Sequence, residues 1–184
     1  MAPRIKASHP GPAPVTVMPM ALSHVAMNTA DLDRFRAFYE DVIGLRTAIV
    51  LRMTEPPGLR HAILSVNDTT IIHAFERPGY DPGADGIGTE VGSRGRLDHI
   101  GFLLADLDDL KAVRDRLVAV RASEGVVSPL GPLLSVLFRD PDGLEGEINT
   151  VNPAFDLSLE DRAVVEEEPD PGLHHRLVAA CSRG

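Results

Sequence analysis

The stretch Ser23-His24-Val25-Ala26-Met27-Asn28-Thr29-Ala30-Asp31-Leu32-Asp33 returns 75 residues later as Asp98-His99-Ile100-Gly101-Phe102-Leu103-Leu104-Ala105-Asp106-Leu107-Asp108. The histidine, the Ala-Asp-Leu-Asp and the alternation of apolar residues are in register, so the chain reads as a tandem duplication. Each copy describes an alternating strand that carries a histidine, then a turn, then an amphipathic helix. Any fold that accepts this sequence has to place two equivalent histidines on two equivalent strands.

Periodicity extends the layout. Leu22 to Asn28 alternates as a strand, and Asp31 opens a helix whose residues Leu32, Phe35, Phe38, Tyr39 and Val42 share one face, with Gly44 as its C-terminal stop. Strands are predicted over Leu45 to Met53, Arg60 to Val66 and Thr69 to Glu76, the last two joined across Asn67-Asp68. The second copy repeats the order. Leu97 to Leu104 is a strand, Asp106 to Arg121 a helix with Leu107, Leu110, Val113, Leu117 and Val118 inward, and Val126 to Leu130, Leu134 to Arg139 and Leu144 to Thr150 are three strands. Pro141-Asp142-Gly143 makes the last turn. The expected class is α+β, with two tandem βαβββ modules forming a cup-shaped mixed sheet.

The expected organisation is a proline-rich N-terminal arm over 1–20, a first module over 21–77, a linker over 78–96, a second module over 97–152 and an acidic tail over 153–184. The arm holds five prolines, and its apolar run Val15-Thr16-Val17-Met18 stops at Pro19, so it lacks the apolar core of a signal peptide. The polar, glycine-rich linker has 19 residues, long for a structureless connection, and is expected to carry function or to close over a site. In the tail, a short helix is expected over Leu173 to Ala180.

A net charge of −9, with no Lys/Arg cluster, argues against nucleic acid or an anionic membrane as partner, and no run reaches the length of a membrane span. The expected partner is a small molecule. Cys181 is the single cysteine and is read as a bystander thiol, and a cytoplasmic location is the default.

Strand parity selects the chemistry. In a half-buried strand neighbours point to opposite faces, so Val25 and Met27 pack on the helix while His24 and Ala26 face the other way. The same logic puts His99 and Gly101, His73, and Glu145, Glu147 and Asn149 on open faces, where the four ligand-type groups His24, His73, His99 and Glu147 would share one concave surface. His24 to His73 spans 49 residues and His99 to Glu147 spans 48, so each module offers a group on its first strand and one on its last. Imidazoles with one carboxylate suit a divalent ion such as Zn, Ni, Fe, Mn or Co and leave coordination positions open. A single histidine in an apolar strand is commonly a hydrogen-bonded core residue. Repetition in register, with a glutamate closing the second module, favours ligands at His24, His99 and Glu147. His73 has no in-register match and reads equally as ligand or as neighbour.

The segments Leu22-Ser23-His24-Val25-Ala26, Phe38-Tyr39-Glu40-Asp41-Val42-Ile43-Gly44-Leu45, Leu97-Asp98-His99-Ile100-Gly101-Phe102 and Phe138-Arg139-Asp140-Pro141-Asp142-Gly143-Leu144-Glu145-Gly146-Glu147-Ile148 resemble the vicinal oxygen chelate superfamily over roughly Ala21 to Asn152. That superfamily holds glyoxalase I, extradiol dioxygenases, methylmalonyl-CoA epimerase and the fosfomycin and bleomycin resistance proteins. The resemblance implies two βαβββ modules around one divalent metal, with His24, His99 and Glu147 at ligand positions and His73 where glyoxalase I carries a second glutamate. It implies bidentate binding of vicinal substrate oxygens and an enediolate-type intermediate, with Glu147 as the catalytic base of a lyase or isomerase.

An extradiol-type Fe(II) dioxygenase is the alternative, with His24, His99 and Glu147 as its triad. The segment 128–138 lacks the His and Tyr usual in such enzymes, so an acid or base would have to come from His61 or Tyr80. A drug-sequestering protein ranks third, since such binders often lack the ligands and 4% aromatic residues with no Trp offer little stacking surface. The chain carries both modules, so a single copy holds the residues for a site. Relatives often exchange modules between chains, and a homodimer is expected.

Overall fold

The computed structural model describes residues 21–55, 57–77, 79–81 and 97–155. The N-terminal arm, almost all of the linker, most of the acidic tail, its expected helix and Cys181 lie outside them.

The first module runs β1 (His24–Thr29), α1 (Leu32–Ala37), a π-helical segment (Phe38–Ile43), β2 (Arg46–Arg52), β3 (Arg60–Ser65) and β4 (Ile71–Glu76). The second runs β5 (Ile100–Leu103), α2 (Leu107–Ala119), β6 (Ser128–Leu130), β7 (Leu133–Arg139) and β8 (Glu145–Val151). Each module folds one four-stranded sheet, ordered β1-β4-β3-β2 and β5-β8-β7-β6. In both, the first strand lies parallel to the last and the other neighbours are antiparallel. The α+β class with two tandem modules is therefore observed. None of the helices is long and apolar enough to cross a membrane among the described residues.

Local chemistry starts each helix the same way. Asp31 is extended and its carboxylate accepts from the backbone N–H of Asp33 and Arg34, while Asp106 does the same for Asp108 and Asp109. The first helix departs from expectation after Ala37. Leu32, Phe35, Phe38, Tyr39 and Val42 are all buried, but the backbone widens into a π turn, with Gly44 and Leu45 both donating to the Tyr39 carbonyl. Gly44 closes it at φ 99°, a left-handed conformation that glycine adopts without strain. On α2, Leu110, Val113 and Leu117 are buried as expected. Leu107 and Val118 are not: at 40% and 44% exposure they flank the buried stripe instead of joining it. The Asn67-Asp68 connection is held by Asn67 Oδ1, which accepts from the Thr69 and Thr70 backbone N–H groups.

The two modules join through their helical layers in one continuous core. Phe38 of the π segment meets Phe138 of β7 at 5.8 Å between ring centroids, and Tyr39 meets Phe102 of β5 at 6.3 Å. Burial of each such aromatic or aliphatic side chain is worth about 1.5–3 kcal/mol. Gly146 is what lets Phe138 lie across β8, since a Cβ there would stand 2.2 Å from the Phe138 ring.

Polar groups complete the junction. Arg116 Nε donates to the Val42 carbonyl, Tyr39 OH donates to Asp140 Oδ2, and Ala30 N–H and Arg34 Nη2 both donate to Asp142 Oδ1. Burial raises Asp140 to about 6, and the neighbouring Asp142 charge adds to the rise. Burial likewise pushes the Tyr39 hydroxyl well above its ordinary range.

Candidate metal centre

Packing the helices between the modules leaves the opposite face of each sheet open, and parity puts the candidate ligands there. On the first sheet, His24 and Ala26 of β1, His73 and Phe75 of β4, His61 and Ile63 of β3, and Ile49 and Leu51 of β2 share this face through their register. Met27, Ile72, Ala74, Ala62 and Leu64 point the other way, into the core.

His24 and His73 sit edge to face, with ring centroids 5.1 Å apart and planes at 61°. Each has its Nδ1 engaged. Ser23 Oγ lies 3.0 Å from His24 Nδ1, and His61 Nε2 lies 2.9 Å from His73 Nδ1. His61 is itself buried and stacked on Phe75, with ring centroids 4.3 Å apart and planes at 6°. Burial holds the His61 imidazole below its usual range, and the neighbouring His73 adds to this.

The second sheet repeats the device with different residues. His99 stands just before β5, its Nδ1 2.9 Å from Asp98 Oδ2, and the tautomer that donates Nδ1–H to this carboxylate leaves Nε2 with its lone pair. On β8, opposite Gly101, Glu147 is 7% exposed. Its Oε1 accepts a short hydrogen bond from Ser135 Oγ of β7 and one of 3.1 Å from Asn149 Nδ2. Gly101 makes room for that amide, since a Cβ there would stand 3.2 Å from Asn149 Nδ2. Glu147 Oε2 lies 3.3 Å from His99 Nε2. Ligand atoms sharing one ion at about 2.0–2.2 Å stand about 3.0–3.5 Å apart, so this pair has the spacing of one edge of a coordination shell.

The donor set, three imidazoles and one carboxylate, fits a divalent ion in chemistry. It does not converge in one chain. Among the described residues, no three His, Cys, Asp or Glu side chains come together as a metal site. The expectation of one concave surface within a single copy is corrected. The modules pack through their helical layers, which leaves His24 and His73 on the open face of one sheet and His99 and Glu147 on that of the other.

The groups behind the ligands were not anticipated as such, although the repeat carries a signal for two of them: a polar residue, Ser23 or Asp98, precedes the histidine in both copies. Ser135, three strands into the second module, had none. Of the alternative acid–base groups, His61 has its Nε2 engaged by His73, and Tyr80 donates its backbone N–H to Arg77 in the turn after β4.

Comparison with known proteins decides the family. The model of the glyoxalase/bleomycin resistance protein/dioxygenase superfamily matches residues 21–148. The chain belongs to that superfamily. A lactoylglutathione lyase of Haemophilus influenzae is 28% identical over 140 residues, covering 70% of this chain and 90% of that protein. Among solved structures, the glyoxylase/bleomycin resistance protein/dioxygenase domain from Frankia sp. EAN1pec superposes with a TM-score of 0.60 at 22% identity, over 74% of this chain and 96% of that one. A lactoylglutathione lyase from Agrobacterium tumefaciens does so with 0.51 at 26% identity, over 72% and 95%.

Proposed function

We propose that this superfamily member is a divalent-metal-dependent lyase or isomerase of the glyoxalase type, acting on a small substrate with vicinal oxygens. The observation that carries the reading is the His99–Glu147 pair, with Nδ1 engaged by Asp98, Oε1 by Ser135 and Asn149, and Nε2 and Oε2 facing each other at 3.3 Å, the spacing of two ligands on one ion. The lactoylglutathione lyase relatives support the same reaction class.

His24, His73, His99 and Glu147 would hold the ion, which when bound would supply Lewis acidity that acidifies the substrate C–H beside a carbonyl. Glu147 Oε2 takes that proton and returns it to the adjacent carbon. Ser135 and Asn149, both donating to Oε1, keep the carboxylate aimed while Oε2 moves the proton. Leu103, Leu137, Ile49 and Leu51, all exposed on the two open faces, exclude water from the reacting carbon.

The complete site in this reading is shared by two copies in a homodimer, with His24 and His73 of one chain meeting His99 and Glu147 of the other. The separation of the two ligand pairs within one chain supports this, as do the exposed apolar residues beside each pair.

Metal analysis of protein purified without chelator, combined with proton NMR of substrate in D2O, tests the proposal. Nickel, zinc, cobalt or manganese with solvent deuterium entering the substrate C–H supports it. Iron with oxygen consumption would replace it with a ring-cleaving dioxygenase, and absence of any metal with it a binding protein.

A further inference from the structure

The His61–His73 contact joins two imidazole nitrogens at 2.9 Å, and a hydrogen bond there needs one proton between two lone pairs. Two arrangements satisfy it. If His61 Nε2 carries the proton, His73 accepts at Nδ1 and must hold its own proton on Nε2, the nitrogen turned away from His61. If His73 Nδ1 carries it, His61 Nε2 accepts and His73 Nε2 is left with a free lone pair.

We propose that His61 is a positioning residue that accepts from His73 Nδ1–H and thereby holds His73 in the tautomer whose Nε2 faces the open surface as a lone pair. The inference rests on the metal-centre reading above and assigns a role to a residue which that reading does not use. Three observations carry it. His61 is buried, so water does not compete for its Nε2. Its ring is fixed by the Phe75 stack at 4.3 Å, and its centroid lies 4.9 Å from that of His73 with the planes 16° apart, so the Nε2–Nδ1 contact joins two rings of fixed orientation. The other three candidate ligands also have one polar atom engaged by a neighbouring side chain: Ser23 at His24 Nδ1, Asp98 at His99 Nδ1, and Ser135 with Asn149 at Glu147 Oε1. Partners of this kind orient metal-binding imidazoles and raise their basicity.

The role differs from that of a ligand. His61 touches no substrate or ion and acts only through His73, with Phe75 keeping the imidazole from rotating away.

The test uses the full-length protein, metal-free and then titrated with Zn(II) alone. Long-range 1H–15N spectra of the metal-free protein are expected to show His73 with a protonated Nδ1 and an unprotonated Nε2. His61→Phe keeps the ring volume and the Phe75 stack but removes the acceptor, and is expected to lower Zn(II) affinity about tenfold or more and to mix the His73 tautomers. His61→Gln, whose carbonyl can accept, is expected to recover most of the affinity. Circular dichroism of each variant confirms that it folds. A His73 protonated at Nε2 in the wild type, or Zn(II) affinity unchanged in His61→Phe, would overturn the assignment. Failure of the wild type to bind Zn(II), Ni(II), Mn(II) or Co(II) while His73 shows the expected tautomer would overturn the metal centre and leave the tautomer assignment standing.

Discussion

His99 Nε2 stands 3.3 Å from Glu147 Oε2, while the far side of each group is already engaged, Nδ1 by Asp98 and Oε1 by Ser135 and Asn149. Two polar groups that merely paired with each other would not need three further residues to aim them. In the metal-centre reading proposed above, these are ligand atoms held for a third species.

Glu147→Gln should therefore abolish activity and lower metal content, since it replaces the one anionic ligand with an amide that can turn its NH2 toward the ion. Ser135→Ala should weaken the metal by about tenfold while leaving the ligand set intact. Equilibrium dialysis against a competing chelator reads both. Full metal occupancy and full activity in Glu147→Gln would be incompatible with the assignment.

His73→Ala asks how many ligands the first module supplies. A ligand lost at this position should cost about tenfold or more in affinity. Unchanged affinity with reduced turnover would instead give His73 a substrate-orienting role, with three ligands remaining and the dioxygenase reading favoured.

Gly146→Ala tests the packing that joins the modules. The new Cβ would meet the buried Phe138 ring at 2.2 Å, and Phe138 in turn packs on Phe38. Phe138 can yield only toward the cavity that it lines with Val118 and Leu137, which gives up its packing on Phe38, so a loss of about 1–3 kcal/mol is expected in urea unfolding.

The module junction should also respond to pH. Asp140 is raised from 3.8 to about 6 in the folded protein, chiefly by burial, so between those values the folded state binds more protons than the unfolded state. Its contribution to stability is present below the unfolded value and is lost as pH rises through about 6. His61 works in the opposite sense. Its lowered folded value makes stability fall as pH drops below 6.5. Asp140→Asn removes the first effect, and should be more stable than the wild type at pH 7.5 by about 1–3 kcal/mol and at pH 4.5 by about a third of that. Chemical unfolding of both proteins at the two pH values measures the difference, in which the other titrating groups cancel.

How far the sequence could be read follows from which forces are local. Strand parity is local, and it put His24, His73, His99 and Glu147 on open faces because Met27, Ile72 and Ile148 had to be buried. Capping is local, and Asp31 and Asp106 announced both helices. The π turn was hidden, since the sequence 38–43 fits an ordinary helical stripe and only the shared Tyr39 carbonyl reveals the widening. The exposure of Leu107 and Val118 was equally hidden, because the width of a buried stripe depends on the neighbouring layer. Above all, periodicity assigns a face within one sheet and is silent on how two sheets stand to each other. That is why one concave surface was expected where the chain builds two open faces.

The central claim is that two copies complete each site. Two variants test it most directly: His24→Ala/His73→Ala, which lacks the first ligand pair, and His99→Ala/Glu147→Gln, which lacks the second. Each alone should bind no metal in inductively coupled plasma analysis after desalting. Mixed after mild unfolding and refolding, they should recover about a quarter of the wild-type metal per chain, because random pairing makes half the dimers mixed and each mixed dimer regains one of its two sites. No recovery in a mixture that light scattering shows to contain dimers, or metal retained by either variant alone, would contradict the shared site.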